Sequence, residues 1–141
     1  MTRTQTRTEH PAHAAGHRSR EAVRARDKEA WLDVFAEDAV VEDPVGPSVF
    51  DPEGKGHRGR AAIAAFWDKA IATTDRIEFN FHDTYQCGNE EANVGHIVIT
   101  MGGHQVTAEG VFTYRVNDAG QMVALRAYWE MDRAAATARP V

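Results

Sequence analysis

The sequence predicts an α+β domain. Helical patterns occupy the first half of the chain, and from Asp75 onward apolar residues recur at every second position. No helical stretch separates the successive strands, so they pair as antiparallel neighbours and not through crossover helices. With 141 residues, 43% of them hydrophobic, the chain can build one core of ordinary size with room for a small-molecule cavity.

The elements follow in order. Residues 1–10 lack a large aliphatic residue after Met1 and read as a flexible tail, as does Ala134–Val141, leaving a single domain over residues 11–133. Pro11 suits an early helical position, and Ala12–Arg26 has Val23 as its one β-branched residue, so a first helix falls there. Asp27 is placed to N-cap a second helix over Lys28–Glu37, with Trp31, Leu32, Val34 and Phe35 as its apolar stripe. A short strand at Ala39–Asp43 is stopped by Pro44 and Gly46, and the turn-rich residues 47–59 read as a loop or ragged hairpin. Arg60–Ile71 is a helix by the spacing of Ala61, Ile63, Ala65, Phe66 and Ala70. Four strands complete the chain: one carrying Ile77, Phe79 and Phe81, then Ala92–Met101, His104–Val116 and Gln121–Glu130, with turns at Gly102-Gly103 and Asn117–Gly120.

Composition excludes several classes. A net charge of −5 has the wrong sign for a nucleic-acid binder, and no apolar run is long enough to span a membrane. Cys87 alone makes neither a disulfide nor a cysteine metal site. His10, His13 and His17 lie at helical spacing but lack a third ligand nearby, so they read as solvated tail residues. No nucleotide-binding fingerprint is present, so no cofactor is expected. The expected location is the cytoplasm.

The chemically informative segment is Phe35-Ala-Glu-Asp-Ala-Val-Val-Glu-Asp-Pro-Val-Gly46. A residue before proline is held extended, so Asp43 ends a strand, and its neighbour Glu42 faces the other side. The residues alone admit two readings of Asp43: it opens a turn, or it projects a carboxylate into a cavity. Large apolar residues on one strand face likewise serve as core or as pocket wall.

This segment resembles the corresponding part of bacterial ketosteroid isomerases, within the SnoaL-like/NTF2-like superfamily. Gly59-Arg-Ala-Ala-Ile-Ala-Ala-Phe-Trp67 is similar to that family's third helix and Arg126-Ala-Tyr-Trp-Glu130 to its last strand, so the likeness runs over about residues 19–132. The resemblance implies a cone in which a strongly curved antiparallel sheet wraps the N-terminal helices around an apolar pocket. It makes Asp43 the general base. It places Phe66, Trp67, Tyr114 and Trp129 as pocket aromatics, with Ile97, Ile99, Met101 and Leu125 as neighbouring walls. Gly95 stands where the family commonly has a large aromatic, which implies a wider cavity there.

The departures are equally informative. The family's two enolate-stabilising donors, a tyrosine and a protonated aspartic acid, are replaced by Ser19 and by Phe112, which becomes a further ligand-facing residue. Loss of one such donor costs about 10²–10³ in rate, so an isomerase built on this chain is a weak one. Tyr114, on the same strand face as Phe112, is the best substitute donor. The insertion over residues 47–58 is expected near the mouth. A homodimer is implied, meeting through the outer sheet face with Thr107, Glu109, Thr113 and Arg126. Three functions follow: a ketosteroid-isomerase-like enzyme, a polyketide cyclase or dehydratase, or a non-catalytic carrier of a steroid-like or other hydrophobic small molecule.

Overall fold

The structure, a computed structural model, describes residues 7–141. Helices α1 (Pro11–Arg24) and α2 (Lys28–Leu32) come first, then strands β1 (Phe35–Glu42) and β2 (His57–Arg58), then helix α3 (Arg60–Phe66). Strands β3 (Arg76–Cys87), β4 (Glu90–Met101), β5 (His104–Val116) and β6 (Met122–Trp129) follow, then α4 (Met131–Ala135) and β7 (Arg139–Pro140). The seven strands form one curved, open sheet in the order β2-β1-β6-β5-β4-β3, with β7 added to β5. This is the α+β architecture expected, with one difference. The sheet is not wholly antiparallel, because β1 runs parallel to β6 with Glu42 opposite Arg126.

That parallel pair also explains why α2 stops at Leu32 and does not run on to Glu37. The Val34 carbonyl accepts from Met122 N at 2.9 Å, and Phe35 enters the sheet opposite Met122. Phe35 is fully buried, and the Arg60 guanidinium donates to its carbonyl at 2.7 Å. Burial and pairing override the local helical pattern. Asp27 does cap α2 as expected, accepting from Ala30 N at 3.0 Å.

The helix expected over Arg60–Ile71 changes pitch at Trp67. Trp67–Ile71 is one turn of π-helix, with Ala72 N donating to the Trp67 carbonyl at 2.8 Å. The wider turn sends Trp67 and Ile71 into the core. Arg26 seals its end, donating to the Thr74 carbonyl at 2.6 Å and the Thr74 hydroxyl at 3.1 Å.

Both expected tails need correction. Residues 1–6 lie outside the described part, but Arg7–Glu9 form a 3-10 turn docked on β3, with Arg7 Nη1 donating to the Thr84 carbonyl at 2.9 Å. At the other end Ala134–Val141 folds back. Thr137 Oγ1 accepts from Thr107 N at 2.7 Å, and Arg139–Pro140 pairs with the start of β5. The physical cause is the sheet edge: unpaired backbone groups at the start of β5 capture the passing chain.

Candidate functional site

Between the concave face of the sheet and the helices lies a cavity of about 360 Å³, within the range of small-molecule pockets. Rows of side chains running across the strands build its floor. Phe79, Ile97 and Ala108 make one row, and Ile77, Ile99 and Val106 the next. Of the residues expected at the pocket, Asp43, Phe66, Ile97, Ile99, Met101, Phe112, Tyr114, Leu125 and Trp129 line this cavity. Met101 is at the rim, 51% exposed.

Trp67 does not line it. Its ring centroid lies 5.3 Å from that of Trp31, which itself packs on Phe35 and Phe66, and the wall is Trp31. The expected widening at Gly95 is also absent. Gly95 sits where β3 bulges inward, and a Cβ there would fall 2.1 Å from the Asn80 carbonyl oxygen, so the glycine admits the backbone of β3 and not a ligand.

Asp43 follows the last residue of β1. The chain beyond it is pinned to β6 by Val45 N donating to the Ala127 carbonyl at 2.9 Å. Trp129, at the end of β6, donates its indole N–H to Asp43 Oδ1 at 2.6 Å. Burial pushes the Asp43 carboxyl above its ordinary pKa, and the indole hydrogen bond partly opposes the rise. Glu42 points to the opposite face and accepts from Arg126 Nε at 2.7 Å, as the strand alternation requires.

The insertion over residues 47–58 reaches the site through Phe50, which lines the cavity and meets Phe66 edge-on at 6.0 Å. Asp51 shapes the loop by accepting from Gly56 N at 2.7 Å. His57 packs 4.7 Å from the Phe66 ring, and burial lowers its pKa. Helix α4 adds Met131, Ala134 and Ala135 to the wall, so the C-terminal segment belongs to the site.

Three groups escaped sequence reasoning. Ser19 Oγ accepts from Trp31 Nε1 at 3.0 Å inside the lining, so Ser19 and Trp31 act as a pair. Arg20 is 9% exposed and donates to the Tyr114 hydroxyl at 3.2 Å. Its position on the stripe Ala12, Ala15, Gly16, Ser19, Val23 was the available signal. Glu91 is fully buried and bonds His13 Nδ1 at 2.9 Å, Gln86 Nε2 at 2.8 Å and Asn93 Nδ2 at 3.1 Å. His13 and His10, whose Nδ1 caps α1, are therefore held in the fold and are not tail residues, while His17 is exposed as expected. Among the described residues no three His, Cys, Asp or Glu side chains group to hold a metal ion, and no helix is long and apolar enough to cross a membrane.

A curved sheet closing on helices around an apolar pocket, with a carboxylate at its wall, defines a class. The chain belongs to the SnoaL-like domain family, whose model matches residues 17–136, and is a ketosteroid-isomerase-like member of the SnoaL/NTF2 superfamily. It is similar to a Δ5-3-ketosteroid isomerase from Mycobacterium sp., with 40% identity, a TM-score of 0.82 and coverage of 93% of this chain and 98% of that one. It is similar too to RV0760c from Mycobacterium tuberculosis, at 38% identity and a TM-score of 0.84 over 94% of this chain and 97% of that one. RV0760c in complex with estradiol-17β-hemisuccinate matches at 38% identity and a TM-score of 0.81, over 87% of this chain and 96% of that one.

Proposed function

We propose that the chain binds a steroid-sized hydrophobic ketone in this cavity and moves a proton on it, with Asp43 as the general base. The observation that carries this reading is the Asp43 carboxyl at an apolar cavity, one oxygen held by the Trp129 indole at 2.6 Å. A base works best when its pKa is moved toward the working pH, and burial moves Asp43 in that direction. Likeness to a ketosteroid isomerase and to a protein solved with a steroid ester supports the ligand class.

In this reading Asp43 removes a proton from the carbon beside the ketone, and the C–H electron pair passes into the enolate. The same proton is returned at the far end of the conjugated system, so the substrate is isomerised with no atom gained or lost. Negative charge collects on the ketone oxygen. Ser19 and Phe112 stand where the family carries its two donors, so the donor here is Tyr114 and turnover is weak.

Asp43→Asn tests the assignment. Turnover of a Δ5-3-ketosteroid is expected to fall by about 10²–10⁴-fold while binding of a phenolic steroid persists. An Asn variant as active as the wild type overturns it. A second reading, a carrier without catalysis, is favoured by Phe112, whose ring stacks on Phe81 at 5.3 Å and donates nothing. Under it the wild type binds the steroid and turns over no ketone. The same proposal has the protein act in the cytoplasm as a homodimer meeting through the convex face near Glu109 and Thr113. Sedimentation across a concentration series checks the dimer.

A further inference from the structure

We propose that Arg20 is a positioning residue: by donating to the Tyr114 oxygen it turns the phenolic proton toward the cavity and makes Tyr114 a charge-assisted donor, so that the site selects ligands with an oxyanion or ketone oxygen at that end. This rests on the cavity being a ligand site but not on Asp43 being a base.

The geometry supplies the argument. Tyr114 is buried, lines the cavity and receives Arg20 Nη1 at 3.2 Å. A phenol that accepts from a cation keeps one proton to give, and that proton must point away from the guanidinium. Donation by a charged group polarises the O–H and strengthens the bond it makes to a third atom. Arg20 is itself held in place. Its guanidinium lies 5.4 Å from the Phe81 ring centroid and 5.7 Å from that of Tyr114. Among the described residues no carboxylate lies within ion-pairing distance of Arg20. A cation buried for structure alone is expected to have such a partner, whereas here a phenol facing the cavity takes that place. The contact is also built in by the helix: a Cβ at position 16 would fall 2.5 Å from Tyr114 ring carbons, so glycine there admits the ring against α1.

The charges around Tyr114 act in opposite directions. Burial pushes its hydroxyl pKa up, Arg20 on α1 pulls it down, and Glu91 on β4 and Asp43 after β1 push it up. Arg20 is the one group among these that favours negative charge at the Tyr114 end of the cavity.

The experiment uses the full chain in an Asp43→Asn background with equilenin, whose naphthol and naphtholate fluoresce differently. The expected result is a bound probe enriched in naphtholate relative to free probe at the same pH. Tyr114→Phe should cut that enrichment at least about tenfold, the value of one charge-assisted hydrogen bond. Arg20→Met should cut it by a similar factor, and Arg20→Lys, which keeps the charge and serves if the Met variant fails to fold, should restore part of it. In a Tyr114→Phe background, Arg20→Met should change nothing further. The proposal is overturned if the Arg20 variants leave the naphtholate fraction unchanged, if their effect survives without the Tyr114 hydroxyl, or if the Asp43→Asn parent does not bind the probe. None of these outcomes depends on ketone turnover, so failure here and failure of Asp43 as base are distinguishable.

Discussion

One concave sheet face carries two halves of opposite character. At one end the rows read Gln86–Glu91–Tyr114 and Thr84–Asn93–Phe112, and their polar groups are joined side chain to side chain beneath α1. At the other end the rows are Phe79–Ile97–Ala108 and Ile77–Ile99–Val106, and they form the cavity floor. The polar half is filled by contacts with α1, while the apolar half faces a cavity that α1 walls through Ser19 and Val23 but does not fill. The difference shows how such a fold keeps a pocket open. A fully satisfied polar cluster fixes the helix at one end, and the other end can then forgo close packing. Phe112 and Tyr114 line the cavity from the polar rows and so belong to both halves.

The sharpest way to break this comparison is to remove the polar lock. Glu91→Leu deletes the acceptor shared by His13, Gln86 and Asn93, and should cost about 3–5 kcal/mol, the range for stripping one partner from a buried charged network. Ile97→Ala in the cavity floor should cost less, about 2 kcal/mol, because that side chain is packed on one side only. Urea denaturation of both variants decides it. Equal losses would mean that the two halves do not differ in how they hold the fold.

The pH dependence separates the halves by sign. Burial pushes Glu91 up, but hydrogen bonds from Gln86, Asn93 and His13 outweigh it and hold its carboxyl below the ordinary value of 4.5. Its stabilisation is therefore complete above pH 4.5 and is lost as pH falls through the lowered folded value. Asp43 is raised above 3.8 by burial, so the folded state binds its proton more tightly and stability falls as pH rises through that window. Asp43→Asn should thus raise the thermal midpoint at neutral pH, and the gain should vanish below 3.8. Glu91→Gln should flatten the acid limb. Melts between pH 3 and 8, about one unit apart, check both signs.

How much of this was legible depends on whether a residue's role is local. The strands β3 to β6 were readable because alternation reports which face is covered, and Asp43 stood out because Asp-Pro-Val-Gly is a local motif. The bulge between Phe81 and Asp83 was not readable. It slips the phase, so that Phe81 points inward while Thr84 and Gln86 do so beyond it, leaving Tyr85 exposed. The Trp129–Asp43 bond joins residues 86 positions apart and depends on β1 lying parallel to β6, which no local pattern announces. Glu91 shares a face with Ile97 and Ile99, yet its charge argues for solvent until Gln86 and His13 are seen around it. The C-terminal residues offered no periodicity at all, and the sheet edge alone determines their place.

The smallest expected effect sharpens the comparison most directly, because it adds carbon to each half in turn. Gly16→Ala places a methyl 2.5 Å from Tyr114 ring carbons, where helix and sheet are already in contact, and should destabilise by about 1–3 kcal/mol. Ala108→Phe adds a whole ring, but Ala108 faces the cavity, so the ring has space to enter and stability should change by no more than about 1 kcal/mol. Volume added to a packed interior is normally the costly change, so the larger substitution being the milder one is a specific consequence of an open floor. Its price appears in binding instead: with the ring occupying the cavity, affinity for equilenin should fall at least about tenfold, the loss expected when a ligand is denied part of its apolar pocket. Ala108→Phe destabilising the protein more than Gly16→Ala would show that the floor closes in solution, and with it the distinction between the two halves would fail.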